Sequence, residues 1–179
     1  MMRESGLLRV FGLYEALVKR LNGLFAILAS ILVLVVIAVI VLSIVSREMG
    51  ISLLWANDMA QVAFVYLVFL SFAPALQSGH HVTVELFEPL VPGVIRRHLD
   101  IVAALACLVF GLIFLNQLWA LTSRAIADGR MAVMAVPVQL KWVQIAGPIG
   151  LVQFCLAAIA QLGNAILRPG AGRAPSAGH

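Results

Sequence analysis

Leu24-Phe-Ala-Ile-Leu-Ala-Ser-Ile-Leu-Val-Leu-Val-Val-Ile-Ala-Val-Ile-Val-Leu-Ser-Ile-Val45 contains no charge, no proline and no glycine. At about 1.5 Å per residue, a helix over this stretch is about 33 Å long, enough to cross a hydrocarbon core of about 30 Å. Inside lipid every backbone N–H and C=O must find its partner within the segment, so an isolated run of this kind is a helix. The run is too long for a signal-peptide core. Arg47-Glu48 follows it, with no small-residue cleavage site, which marks a retained anchor.

Outward from this stretch the same pattern recurs. Charge-free runs extend over Met59–Gly79, Ile101–Ser123 and Trp142–Leu167. The reading is an all-α membrane protein with four transmembrane helices, spanning about residues 23–46, 56–78, 99–123 and 140–167, together with short amphipathic interfacial segments. Composition agrees. The chain is 63% hydrophobic and 11% charged, with mean hydropathy +1.06, too apolar for a soluble domain of 179 residues. A net charge of +4 and a pI near 9.7 would suit nucleic acid if the basic residues clustered on one face. They fall instead in short groups between apolar runs, so no nucleic-acid partner is expected. The bilayer is the first partner.

The same groups set an orientation. Arg3, Arg9, Lys19, Arg20, Arg96, Arg97, Arg168 and Arg173 fall on one side of the four spans. Arg47, Arg124, Arg130 and Lys141 fall on the other. The excess of basic residues belongs in the cytoplasm, which places both termini and the middle loop there. Residues 1–22 read as an amphipathic segment lying on the membrane, with Leu7, Val10, Phe11, Tyr14, Leu17, Val18 and Leu21 at helical spacing. Residues 80–98 read as a bent interfacial loop, because Pro89 and Pro92 forbid one continuous helix. Residues 168–179, rich in proline, glycine and alanine, read as a flexible tail.

The spans carry almost no ionisable group. Asp58 stands where the second helix starts, after Trp55, Ala56 and Asn57, with Gln61 following. It has two compatible readings. A carboxylate early in a helix favours the dipole, with Asn57 as a cap, and Trp55 suits an aromatic belt. The group Trp55, Asn57, Asp58 and Gln61 is also a candidate partner-binding site. Neutral groups such as Ser71, Asn116, Gln117, Gln153, Gln161 and Asn164 suit helix association better than substrate binding. Ala103, Cys107 and Gly111 form a small-residue stripe expected to let another helix approach closely. The two cysteines, Cys107 and Cys155, lie in apolar runs and read as small hydrophobes. His80 and His81 are adjacent and lack spaced ligand partners, so no metal or other cofactor is expected. No catalytic motif is present, and the chain does not read as an enzyme.

Three places, in this order, resemble the small membrane subunit of the tripartite ATP-independent periplasmic (TRAP) transporters, the DctQ-like subunit. Trp55-Ala56-Asn57-Asp58 is similar to the family's W-x-[ED]-E element, with Asn57 at the first acidic place. Gln77-Ser78-Gly79-His80-His81-Val82 is similar to its G-x-H-hydrophobic turn and leads to Arg96-Arg97. Val136-Pro137-Val138, Lys141-Trp142 and Gly147-Pro148 are similar to its proline–glycine entry into the last helix. The resemblance covers about Leu21 to Leu167. It implies a large membrane permease subunit and a periplasmic solute-binding protein as partners, in the bacterial inner membrane. It implies uptake of an organic anion driven by an ion gradient, with this chain as scaffold. Gly79, His80, Arg96, Arg97, Pro137, Trp142, Gly147 and Pro148 then take structural and interfacial places. A self-sufficient small channel or exporter, and a four-helix membrane haem or redox protein, are the competing readings. The first needs an intramembrane acid near mid-depth, and the second needs histidines facing across two helices.

Overall fold

The computed structural model describes the backbone of residues 2–87, 93–132, 134–135 and 137–167, and the side chains of residues 9–78, 98–99, 101–132, 134–135 and 137–166. Five helices follow one another: α1 (Met2–Glu48), α2 (Leu54–Phe87), α3 (Gly93–Ala127), α4 (Leu140–Gln144) and α5 (Ala146–Leu167). Four stretches are long and apolar enough to cross a membrane: Arg9–Glu48, Leu54–Ser78, Ile101–Ala127 and Leu140–Ile166. The chain is an all-α membrane protein.

The last span is the centre of the bundle. It packs against α1, α2 and α3, while α1 packs chiefly on α2. Burial ranks them the same way: 56% of the most apolar part of the last span is buried, against 6% for each of the first two. Leu151 is completely enclosed. Leu34, Ile37, Ile40 and Ile44 of α1 stay exposed, as side chains facing hydrocarbon do.

Glycines let the backbones close on α5. A Cβ at Gly150 would strike the carbonyl of Phe69 on α2, and one at Gly111 would come 2.9 Å from the Phe154 ring and 3.0 Å from the Cys155 sulfur. The small-residue stripe of α3 is therefore only partly an interface within this chain. Gly111 is buried against α5 and Cys107 is half-buried, but Ala103 is exposed.

Polar side chains clamp three helices near the termini. Asn22 on α1 donates from Nδ2 to Gln77 Oε1 on α2 at 2.7 Å, and accepts at Oδ1 from Gln153 Nε2 on α5 at 2.7 Å. Asn22 and Gln153 are both buried. Just beyond, the Tyr14 hydroxyl donates to the Leu156 carbonyl at 2.8 Å, and Val18 packs with Ala73, Ala157 and Ala160.

Two element boundaries differ from the sequence reading. Residues 1–22 were expected as a separate surface segment, but α1 is one helix from Met2 to Glu48, and Tyr14, Val18 and Asn22 pack on the bundle. The helical periodicity of residues 7–21 continues in phase into the span, and Gly23 alone does not break it. The expected loop over 80–98 is narrower. α2 stays helical to Phe87 and α3 begins at Gly93, because no proline stands between Gly79 and Pro89. Residues 88–92 and the tail 168–179 lie outside the described residues.

The fourth span is interrupted once, at Ile145. Pro148 has no N–H to give the Gln144 carbonyl, which removes a bond that a continuous helix from α4 would need, and proline fits the first turn of α5. At the other end of α1, Gly50 takes φ +79°, a left-handed conformation that glycine adopts without strain. The Gly50 N–H reaches the Arg47 carbonyl at 3.0 Å and the Ile51 N–H reaches that of Ser46 at 2.9 Å, which closes the helix in a Schellman motif.

Candidate functional site

The candidate partner-binding residues gather at the end of the bundle farthest from the termini. Here α1 turns at Gly50, residues 51–53 lead into α2, and residues 128–139 link α3 to α4. That second link is folded back on itself. Met131 and Gln139 form an isolated antiparallel bridge, with the Ala132 N–H on the Val138 carbonyl at 2.9 Å and the Leu140 N–H on the Arg130 carbonyl at 3.0 Å. A carboxylate holds its tip: Asp58 Oδ2 accepts the backbone N–H of Ala135 at 2.5 Å.

Asp58 is thus a brace between α2 and a loop 77 residues away. The capping expectation for Asn57 does not hold. α2 begins at Leu54, whose neighbour Leu53 already accepts the Ala56 N–H at 3.1 Å, so Asn57 lies inside the first turn. Trp55, Asn57 and Gln61 are exposed around the half-buried Asp58. Trp142 on α4 is also exposed; its carbonyl accepts the Tyr66 hydroxyl, and Lys141 Nζ stands 5.7 Å from its ring centroid. Trp55, Trp119 and Trp142 are all the tryptophans of the chain, and all three are exposed, Trp55 at the start of α2, where an interfacial aromatic belt would place it.

Between the α1 cap, the start of α2 and the loop lies a cavity of about 320 Å³, lined by Ser43, Arg47, Ser52, Asn57, Asp58 and Ala135 among others. It holds one cation and one carboxylate, with Leu53 and Leu54 completing the wall. That arrangement offers charge and hydrogen bonds at the far end of the bundle. Among the described residues no three histidine, cysteine, aspartate or glutamate side chains stand together as metal ligands would.

The other sequence candidates are scattered. Pro137 is exposed in the braced loop, whereas Gly147 and Pro148 are buried at the entry to α5. A Cβ on Gly147 would come 2.8 Å from Leu118 Cδ1. Gly79, His80, Arg96 and Arg97 belong to the opposite end, and their side chains lie outside the described residues. Sequence reasoning missed the bond between Asp58 and Ala135. A backbone N–H can belong to any residue, so the partner leaves no signature.

Removing the carboxylate should free the loop. In Asp58→Ala the Ala135 amide loses its acceptor at an exposed place, where water takes over. The expected cost is about 1 kcal/mol, with hydrogen exchange at Ala135 about five-fold faster. Asp58→Asn keeps a neutral acceptor, and exchange should rise less. Exchange at Ala135 that is unchanged in Asp58→Ala would show that the brace is not formed in the membrane.

The family model described as "Tripartite ATP-independent periplasmic transporters, DctQ component" matches residues 36–168, from the middle of α1 through α5. No curated protein matches the chain.

Proposed function

This chain belongs to the DctQ component family of the tripartite ATP-independent periplasmic transporters, and from that premise we propose that it is the scaffold of a large membrane permease subunit. The family is one of transporter components, not of enzymes. In this reading the chain sits in the bacterial inner membrane with both termini in the cytoplasm, as the eight-to-four division of its basic residues favours. The large subunit moves an organic anion inward as a symporter, driven by an ion gradient. Trp55, Asn57, Asp58 and Gln61, with the braced loop, form part of the periplasmic surface that receives the solute-binding protein. Gly79, His80, Arg96 and Arg97 serve at the cytoplasmic interface.

One observation carries the scaffold reading. The middles of the spans hold no charged side chain, and the buried amides of Asn22 and Gln153 are bonded to each other across helices. A transport path needs ionisable groups or interrupted helices near mid-depth. Here the one interruption among the described spans, at Ile145, stands alone, with no second interrupted span to form a site with it. Motion of the solute therefore belongs to a partner.

Reconstitution tests this. Alone in proteoliposomes, the chain should give no ion-driven uptake of any organic anion. With the large subunit, uptake should appear when the binding protein is supplied on the side of Gly129 and not on the side of Lys19. Uptake by the chain alone would defeat the scaffold reading.

A further inference from the structure

The outward face of α3 is unlike the other exposed faces. Val102, Ala106, Val109, Ile113, Asn116 and Ala120 follow one another at spacings of four and three, which lines them up as a helix-packing seam. All but Ala120 are exposed, and Ala120 is half-buried. Gln117 stands beside Asn116 and is exposed as well. Neither amide has a hydrogen-bond partner among the described residues. Both lie close to the middle of the span Ile101–Ala127, roughly ten residues or 16 Å from its far end. An amide side chain cannot reach the headgroups from there. Its N–H and C=O groups would meet only hydrocarbon, which cannot bond them.

The exposed faces of α1 and α5 suit lipid. Between Leu24 and Val45, α1 exposes aliphatic side chains and Ser30, whose hydroxyl is satisfied by the Ala26 carbonyl of its own helix at 2.9 Å. α5 exposes Ile149, Val152, Ile159 and Ile166. Against those two faces, the α3 seam joins apolar knobs, small gaps and unpaired amides at mid-depth.

We infer that the α3 face bearing Asn116 and Gln117 is where the large membrane subunit packs, with a transmembrane helix that bonds the two amides. This assignment rests on the reading that the chain scaffolds such a subunit. The seam also runs into the far-end surface. Its line passes Ala120 to the exposed Arg124 in the last turn of α3, which leads into the loop braced by Asp58. One continuous surface thus faces the large subunit within the bilayer and the binding protein above it.

Co-purification from membranes expressing both subunits tests the face. The double variant Asn116→Leu/Gln117→Leu and the bulky variant Val109→Trp should each retain at least ten-fold less large subunit than the unaltered chain. Each should keep its helical content and elute as a single species when purified alone. Ile37→Trp, on the exposed face of α1, should retain it in full. Full retention by both α3 variants would overturn the assignment and leave the pairing of subunits standing. Release by Ile37→Trp alone would move the interface to α1 and overturn it too. Should the α3 variants lose a second copy of this chain instead, the seam is a self-association contact and the assignment fails. An unaltered chain that never co-purifies with the large subunit would defeat the scaffold reading, and this inference with it.

Discussion

Gly150→Leu is expected to remove the folded subunit from detergent extracts. A Cβ at this position would collide with the carbonyl oxygen of Phe69, lie 2.7 Å from its carbon, and press the Phe69 Cβ at 2.9 Å. Two of these atoms are helix backbone and cannot rotate away. Relief requires moving α5 off α2, one of the two main contacts of the central span. Overpacked cores lose about 1–3 kcal/mol when side chains can yield. Here they cannot, so the loss should reach or exceed ~3 kcal/mol, a large part of a total that is typically about 5–15 kcal/mol. Two comparisons isolate the cause. Gly111→Leu meets the Phe154 ring and the Cys155 sulfur, both side-chain atoms, and should cost less. Gly23 has open space where its Cβ would be, and Gly23→Leu should cost nothing. Monodisperse yield and thermal unfolding in detergent would rank the three. A well-folded Gly150→Leu protein would mean that α2 and α5 do not approach this closely.

That contact was not legible in the sequence, although the spans were. Four charge-free runs are enough to place four helices, because burying a charge in hydrocarbon is costly and the interruptions have to fall at the surfaces. The stripe Ala103, Cys107 and Gly111 was visible by its spacing, yet spacing cannot say which face of a helix turns inward. Gly111 packs on α5 and Ala103 does not. Gly147-Pro148-Ile149-Gly150 was visible as an entry motif, but the backbone lying opposite Gly150 comes from another helix, and no pattern in the chain names it. The far-end site was half legible. Trp55 and Asp58 stood out as an aromatic and an acid at the start of a span. The loop that Asp58 braces did not, since its contact is a main-chain N–H. Asn22 escaped notice for a different reason. The sequence reading put it at the edge of a surface segment, and only the continuity of α1 carries it into the bundle.

The Asn22 clamp should show its value through how its parts depend on one another. Asn22→Leu leaves Gln153 buried with an amide donor that no longer has an acceptor, and leaves Gln77 without a donor. The expected loss is about 1–3 kcal/mol, most of it the cost of a buried polar group left unmet. Gln153→Leu should cost a similar amount, because Asn22 then keeps an unmet carbonyl in a buried place. The double variant Asn22→Leu/Gln153→Leu removes both members of the buried pair. The stranded groups then disappear together, and only Gln77 is left, exposed where water or headgroups can reach it. The double variant should therefore lie closer to the unaltered protein than the two single losses added together. Interhelical bonds in membranes couple by about 0.6 kcal/mol on average and up to about 1.7 kcal/mol. A bond at 2.7 Å between two enclosed side chains belongs near the upper figure. Unfolding free energies of the four proteins, taken in one detergent, complete the cycle. If the two single losses simply add, Asn22 and Gln153 do not share a bond in the membrane. What ties α1 to α5 is then the apolar contact of Val18 with Ala157 and Ala160.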